Sequence, residues 1–187
     1  MPKLWNETIE AHRSAVRDAT LDTTATLVAE RGVTGVTMSL IAERTGIGRA
    51  TLYKYFPDVE AILAAWHERQ AAAHLAQLTA AGGVAPDAAT RLAAVLEAYA
   101  HIQYEHPPHD PSAALHRAGR TTGAEQQLAD FLTGLVAEAA LSGEVRDDIP
   151  ADELARYCLA AATAARALPT KAAVHRLVRA VLAGLRA

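Results

Sequence analysis

Between Arg44 and Phe56 the chain carries three cations, Arg44, Arg49 and Lys54, and no acid. Thr51, Tyr53 and Tyr55 stand among them. Cations and hydroxyls at the start of an exposed helix suit phosphate contact and entry into a DNA groove. A solvated helix that happens to be basic has the same composition, and composition does not choose between the two. A second set is His101, His106, His109 and His116, grouped around the connector His106-Pro107-Pro108-His109-Asp110-Pro111. Imidazole is a common metal ligand. His101 and His106, however, are turned about 140° apart on a helix. No i, i+4 histidine pair with a matched acid stands out, so no metal site is expected. Cys158 sits in an alanine-rich apolar helix, a setting for an inert buried thiol rather than a nucleophile. Gly-rich phosphate loops, His-Glu-x-x-His and Gly-x-Ser-x-Gly are all missing, so the chain reads as no enzyme and as needing no cofactor.

These groups must be positioned by helices. Residues 8–31 read as a helix stopped by Gly32 and Gly35. Thr37 to Thr45 forms a short helix capped by the Thr37 hydroxyl and ended by Gly46. Residues 49–56 form another, stopped by Pro57, and Asp58 caps a long run to about Ala81. Helices follow over 87–106, 110–119, 124–141, 151–168 and 171–186, with Gly82-Gly83 as the clearest break. No strand pattern, repeat or low-complexity tail interrupts them. The expected fold is all-α, with about nine helices.

Composition sets the outer bounds. The chain has 187 residues, 18 Lys plus Arg and 21 Asp plus Glu, for a net charge of −3. That excludes a polycation and leaves room for a local basic face. One cysteine cannot make an internal disulfide or a cysteine-based zinc site. No apolar run approaches the ~20 residues of a membrane span, and the start has no signal-peptide character. The reading is a reduced, cytoplasmic protein.

The informative stretch is Val36 to Phe56, VTMSLIAERTGIGRATLYKYF. Two short helices flank Gly46-Ile47-Gly48, the length plan of a helix-turn-helix. Ile41, Ile47, Leu52 and Phe56 have the spacing of a small core, and Ala42 allows the second helix to pass close. This stretch resembles the TetR family of transcriptional regulators. The resemblance rests on Thr37, Ile41-Ala42, Gly46-Ile47 and Thr51-Leu52-Tyr53-Lys54-Tyr55-Phe56, with Gly32 upstream, and covers residues 17–63 closely.

The resemblance implies a three-helix DNA-binding domain over residues 1–57. It implies a helical ligand-binding and dimerisation domain over 58–187. The activity implied is a ligand-responsive regulator, expected to repress, held as a homodimer on a palindromic double-stranded DNA operator and released by a small-molecule effector. An all-α binding protein silent toward DNA is the alternative. Thr37 and Ser39 would lie where some members touch DNA. Arg49 and Ala50 would face base edges, and Thr51, Tyr53 and Tyr55 would contact phosphates. Lys54 would reach backbone or base. Arg49 suits direct readout, because a guanidinium can hold guanine O6 and N7 together, although a phosphate contact is nearly as good a role.

The chain also departs from the family. Gly48 replaces a frequent serine, and Val59 replaces a frequent lysine. The lost cation would flatten the salt dependence by about one log-log unit per half-site. Thr20 and Thr24 stand where larger apolar residues are usual.

In the C-terminal region, Trp66, Tyr99, Gln103, His106, Phe131 and Tyr157 are the candidate effector-lining residues, aromatic walls with a few polar tips. Leu154, Ala161, Ala165 and Leu168, with Val174, Leu177, Val178, Val181, Leu182 and Leu185, form two apolar stripes. The second is wide for a helix at a chain end. Both stripes are read as a dimer interface, with closure of the subunit's own core as the other reading.

Overall fold

In the N-terminal part, three-and-four spacing of apolar residues converts directly into helices that share one core. The computed structural model describes residues 3–83, 85–106 and 123–186. Among them are eight α-helices, two 3-10 turns and no strand. They are α1 (Lys3–Arg31), α2 (Met38–Thr45), α3 (Arg49–Tyr55), α4 (Val59–Gly82), α5 (Ala88–Glu105), α6 (Gly123–Leu141), α7 (Ala151–Thr163) and α8 (Lys171–Gly184). The expected helix at 110–119, with His109 and His116, lies outside the described residues. The described residues fall into two compact units, one ending at Arg69 and one starting at Gln70.

The first unit closes around Leu21, Leu27 and Val28 of α1, Ile41 and Ala42 of α2, Leu52 and Phe56 at α3, and Ile62, Leu63 and Trp66 of α4. Thr20 and Thr24 are fully buried in α1 without being orphaned. Their hydroxyls donate to the carbonyls of Val16 and Thr20, each at 2.8 Å. A threonine can therefore fill a core position there, because the preceding turn satisfies its oxygen. At the end of this unit Arg69 donates to Asp18 at 3.2 Å and also to Asp22, tying α4 to α1.

The second unit packs α5 against α6, α7 and α8. Its core is built from Leu92, Val95 and Leu96, Leu132 and Val136, Ala155 and Cys158, and Val174 and Val181. Asp87 caps α5 by accepting from the Thr90 N–H at 2.7 Å, and Thr170 caps α8 by accepting from Ala173 at 3.2 Å. The expected helix 151–168 is α only to Thr163 and tightens to a 3-10 turn over Ala164–Ala167. The cause is Pro169, which pushes Leu168 to an extended backbone at φ −84°, ψ 144°.

Six of the ten expected dimer-interface residues need correcting. Leu154, Ala165, Val174, Val178, Val181 and Leu185 are at most 4% exposed within a single chain. They fill the core of their own chain. The width of the α8 stripe thus reflects several neighbours in one chain. Ala161, Leu168, Leu177 and Leu182 keep part of their surface.

Candidate nucleic-acid interface

α2 begins where the Thr37 hydroxyl accepts from the Leu40 N–H at 3.3 Å. That leaves the hydroxyl proton available to a phosphate oxygen. At the other end Thr45 donates to the Ile41 carbonyl at 2.8 Å and accepts from the Ile47 N–H at 3.3 Å. Gly46 then reverses the chain at φ 70°, ψ 10°, a left-handed conformation that favours glycine. Gly48 starts α3 with no side-chain cap. A seven-residue helix is far too short to hold itself together in water. Burial of Leu52 and of Phe56 just beyond it anchors the helix instead.

That anchoring decides what α3 shows to solvent. Arg49, Ala50, Thr51, Tyr53 and Lys54 are exposed, and Tyr53 keeps 54% of its surface. Tyr55 is half-buried against the core, and Ser39 is half-buried on α2. The three cations of the sequence separate here. Arg44 donates to Glu30 of α1 at 3.1 Å, so its charge is shared with a carboxylate. Arg49 and Lys54 have no ion-pair partner among the described residues. Arg17 was not anticipated: its guanidinium lies 5.1 Å from the centre of the Phe56 ring. Val59, where the family often has lysine, packs against the core.

Two family models match the chain. The bacterial regulatory proteins, tetR family, model matches residues 21–66, and the transcriptional regulator SbtR-like C-terminal domain matches 109–187. The chain belongs to the TetR family of transcriptional regulators. It is therefore a transcription factor and not an enzyme.

Solved structures share the fold. A TetR/AcrR regulator from Thermobifida fusca is 18% identical, with 92% of this chain and all of that chain covered, at a TM-score of 0.70. The fatty-acid regulator FadR of Bacillus subtilis, solved with stearoyl-CoA, is 16% identical over 90% of this chain and 98% of its own, at 0.71. AibR, solved with isovaleryl coenzyme A and operator DNA, is 18% identical over 90% and 97%, at 0.66. No match is found among curated proteins.

The expected effector-lining residues are only partly brought together. Tyr99, Gln103 and His106 lie along one face of α5, and Phe131 packs on the same core from α6. Trp66 is 9% exposed inside the core of the first unit, which accounts for its burial. Tyr157 is 47% exposed on α7, its hydroxyl lying over Gly184 of α8, 3.2 Å from where a β-carbon would stand. Arg166 was missed: its Nε donates to the Gln103 amide oxygen at 2.6 Å. The available signal was a lone cation in an otherwise alanine-rich stretch, Ala160 to Ala167.

The described histidines meet other side chains. His101 meets Glu97, one turn back, at 3.2 Å, and His175 reaches the same carboxylate oxygen at 3.1 Å. His106 meets His74 edge to face at 5.5 Å. Among the described residues no group of three such side chains is placed to hold a metal ion. No described helix is long and apolar enough to cross a membrane.

Proposed function

We propose that this regulator represses transcription in the cytoplasm as a homodimer, gripping a palindromic operator with its two α3 helices and leaving it when a small molecule binds. Residues 1–57 read DNA, and 58–187 bind the effector and the second subunit. The observation carrying this is the face of α3. Its two unpaired cations, Arg49 and Lys54, project beside Thr51 and Tyr53, while the third cation is held by Glu30. Two-fold half-sites require two reading helices, hence a dimer. The surface left for a second copy is Tyr157, Ala160, Ala161 and Ala164 of α7 and its turn, beside Leu177, Ala180 and Gly184 of α8. An effector works by preferring the conformer whose two heads no longer match the operator. FadR and AibR, which share this fold, were solved with acyl-CoA ligands, and this supports a small-molecule role for the second unit.

Fluorescence anisotropy against the DNA upstream of the gene, across a salt series, tests the reading. Wild type should bind saturably and prefer that DNA to random duplex. Arg49→Ala should lose about 10- to 100-fold in specific binding, the worth of one bidentate base contact. If Arg49→Ala and Tyr53→Ala both bind as tightly as wild type, α3 is not the reading helix. A folded protein with no preference at any salt would favour the DNA-silent binder.

A further inference from the structure

We propose that the effector is a carboxylate, a monoanion with an apolar body, whose acidic head is taken by Arg166 and Gln103. This rests on the reading that the second unit binds a small molecule. Gln103 is 7% exposed on α5, and its amide oxygen accepts from Arg166 Nε at 2.6 Å. The orientation of the amide follows from chemistry. Arginine only donates, so the oxygen must face it and the NH2 group must turn away. That NH2 group makes no hydrogen bond to the described residues and is not a sealed orphan, so it is open to whatever lies beside it.

Arg166 is half-buried and spends only its Nε on Gln103. Its two terminal nitrogens have no partner, and no carboxylate lies within 4.0 Å among the described residues. The pair therefore offers a cluster of donors and no acceptor. Among the described residues this partly buried positive charge has no counter-charge. The ligand that completes such a site accepts hydrogen bonds and carries negative charge. The forked terminal nitrogens match a carboxylate in the bidentate manner. One guanidinium balances one negative charge, which favours a carboxylate over a phosphate dianion. The apolar body would run beside Tyr99, one turn back on the same face of α5.

The site has identifiable supports. Arg166 sits on the 3-10 turn Ala164–Ala167, where its neighbours in sequence are alanines. Pro169 forces that turn, so the placement of Arg166 follows from the end of α7. Gln103 holds Nε and thereby presents the fork rather than letting the side chain swing to solvent.

Isothermal titration of the full chain tests this with matched probe pairs: hexanoate and hexanol, decanoate and decanol, phenylacetate and phenethyl alcohol. At least one carboxylate should bind 10-fold or more tightly than its alcohol. Arg166→Gln should erase that preference, the carboxylate losing far more affinity than the alcohol. Arg166→Lys, which keeps the charge and loses the fork, should recover part of it. Circular dichroism confirms that each variant is folded. Alcohols binding as well as carboxylates, or a preference untouched in Arg166→Gln, would overturn the anion proposal and leave the small-molecule reading standing. Binding of neither series would count against both.

Discussion

Two glycines two residues apart should respond oppositely to the same substitution. Gly46 sits at φ 70°, and a β-carbon there meets nothing within 4 Å. The cost of Gly46→Ser is therefore purely that of a left-handed L-residue, about 1–2 kcal/mol. Gly48 sits at φ −58°, ψ 138°, which any residue adopts, and a β-carbon there comes no nearer than 3.9 Å to the Thr51 hydroxyl. Gly48→Ser should therefore stabilise. It adds an N-cap worth a few tenths of a kcal/mol and restricts the unfolded chain by about 0.4–1 kcal/mol. The unfolded-state term is common to both variants and cancels in their difference. The two should differ by about 1.5–2 kcal/mol, more than tenfold in the unfolding equilibrium. Urea unfolding followed by Trp66 fluorescence in a Trp5→Phe background reads this unit directly, since Trp66 is buried in its core. Protein concentration must be held constant, because association contributes to apparent stability. Shifts in the same direction, or a destabilised Gly48→Ser, would refute this account of the turn.

Two further outcomes follow from one buried and one half-buried group in the second unit. Cys158 is fully buried, and desolvation pushes its thiol up to about 11, so iodoacetamide should modify it only as fast as the unit opens. Labelling of native protein at the rate of a free thiol would contradict its burial. Burial first, and then His106, lower the proton affinity of His74, outweighing the opposite pull of Glu105. The folded state thus binds that proton more weakly than the unfolded chain. The stability His74 contributes is present above its ordinary value of 6.5 and lost as pH falls below it. His74→Gln should accordingly flatten the fall in urea midpoint between pH 7.5 and 5.5; an unchanged slope would show that His74 is not responsible.

The helix-turn-helix was legible because its determinants are local. Thr37 capping α2, Gly46 ending it and Pro57 stopping α3 all act within a few residues, and each appears where its type demands. Partnerships across the chain were not legible in the same way. Glu30 and Arg44 meet from 14 residues apart, and Gln103 and Arg166 from 63. Nothing in local spacing announces either pair. Thr20 and Thr24 looked like departures from a core, and only the carbonyls one turn back show why they fit.

From the sequence alone came the all-α class, the helix-turn-helix and the hydroxyls and cations of its second helix, because capping, periodicity and turn chemistry are short-range. Tertiary structure decided who covers each apolar stripe. Leu154, Val174, Val178 and Leu185 have the pattern of an interface and the burial of a core. Periodicity defines which face of a helix is apolar. Packing alone determines whether that face meets its own chain or another, since the same hydrophobic driving force favours both.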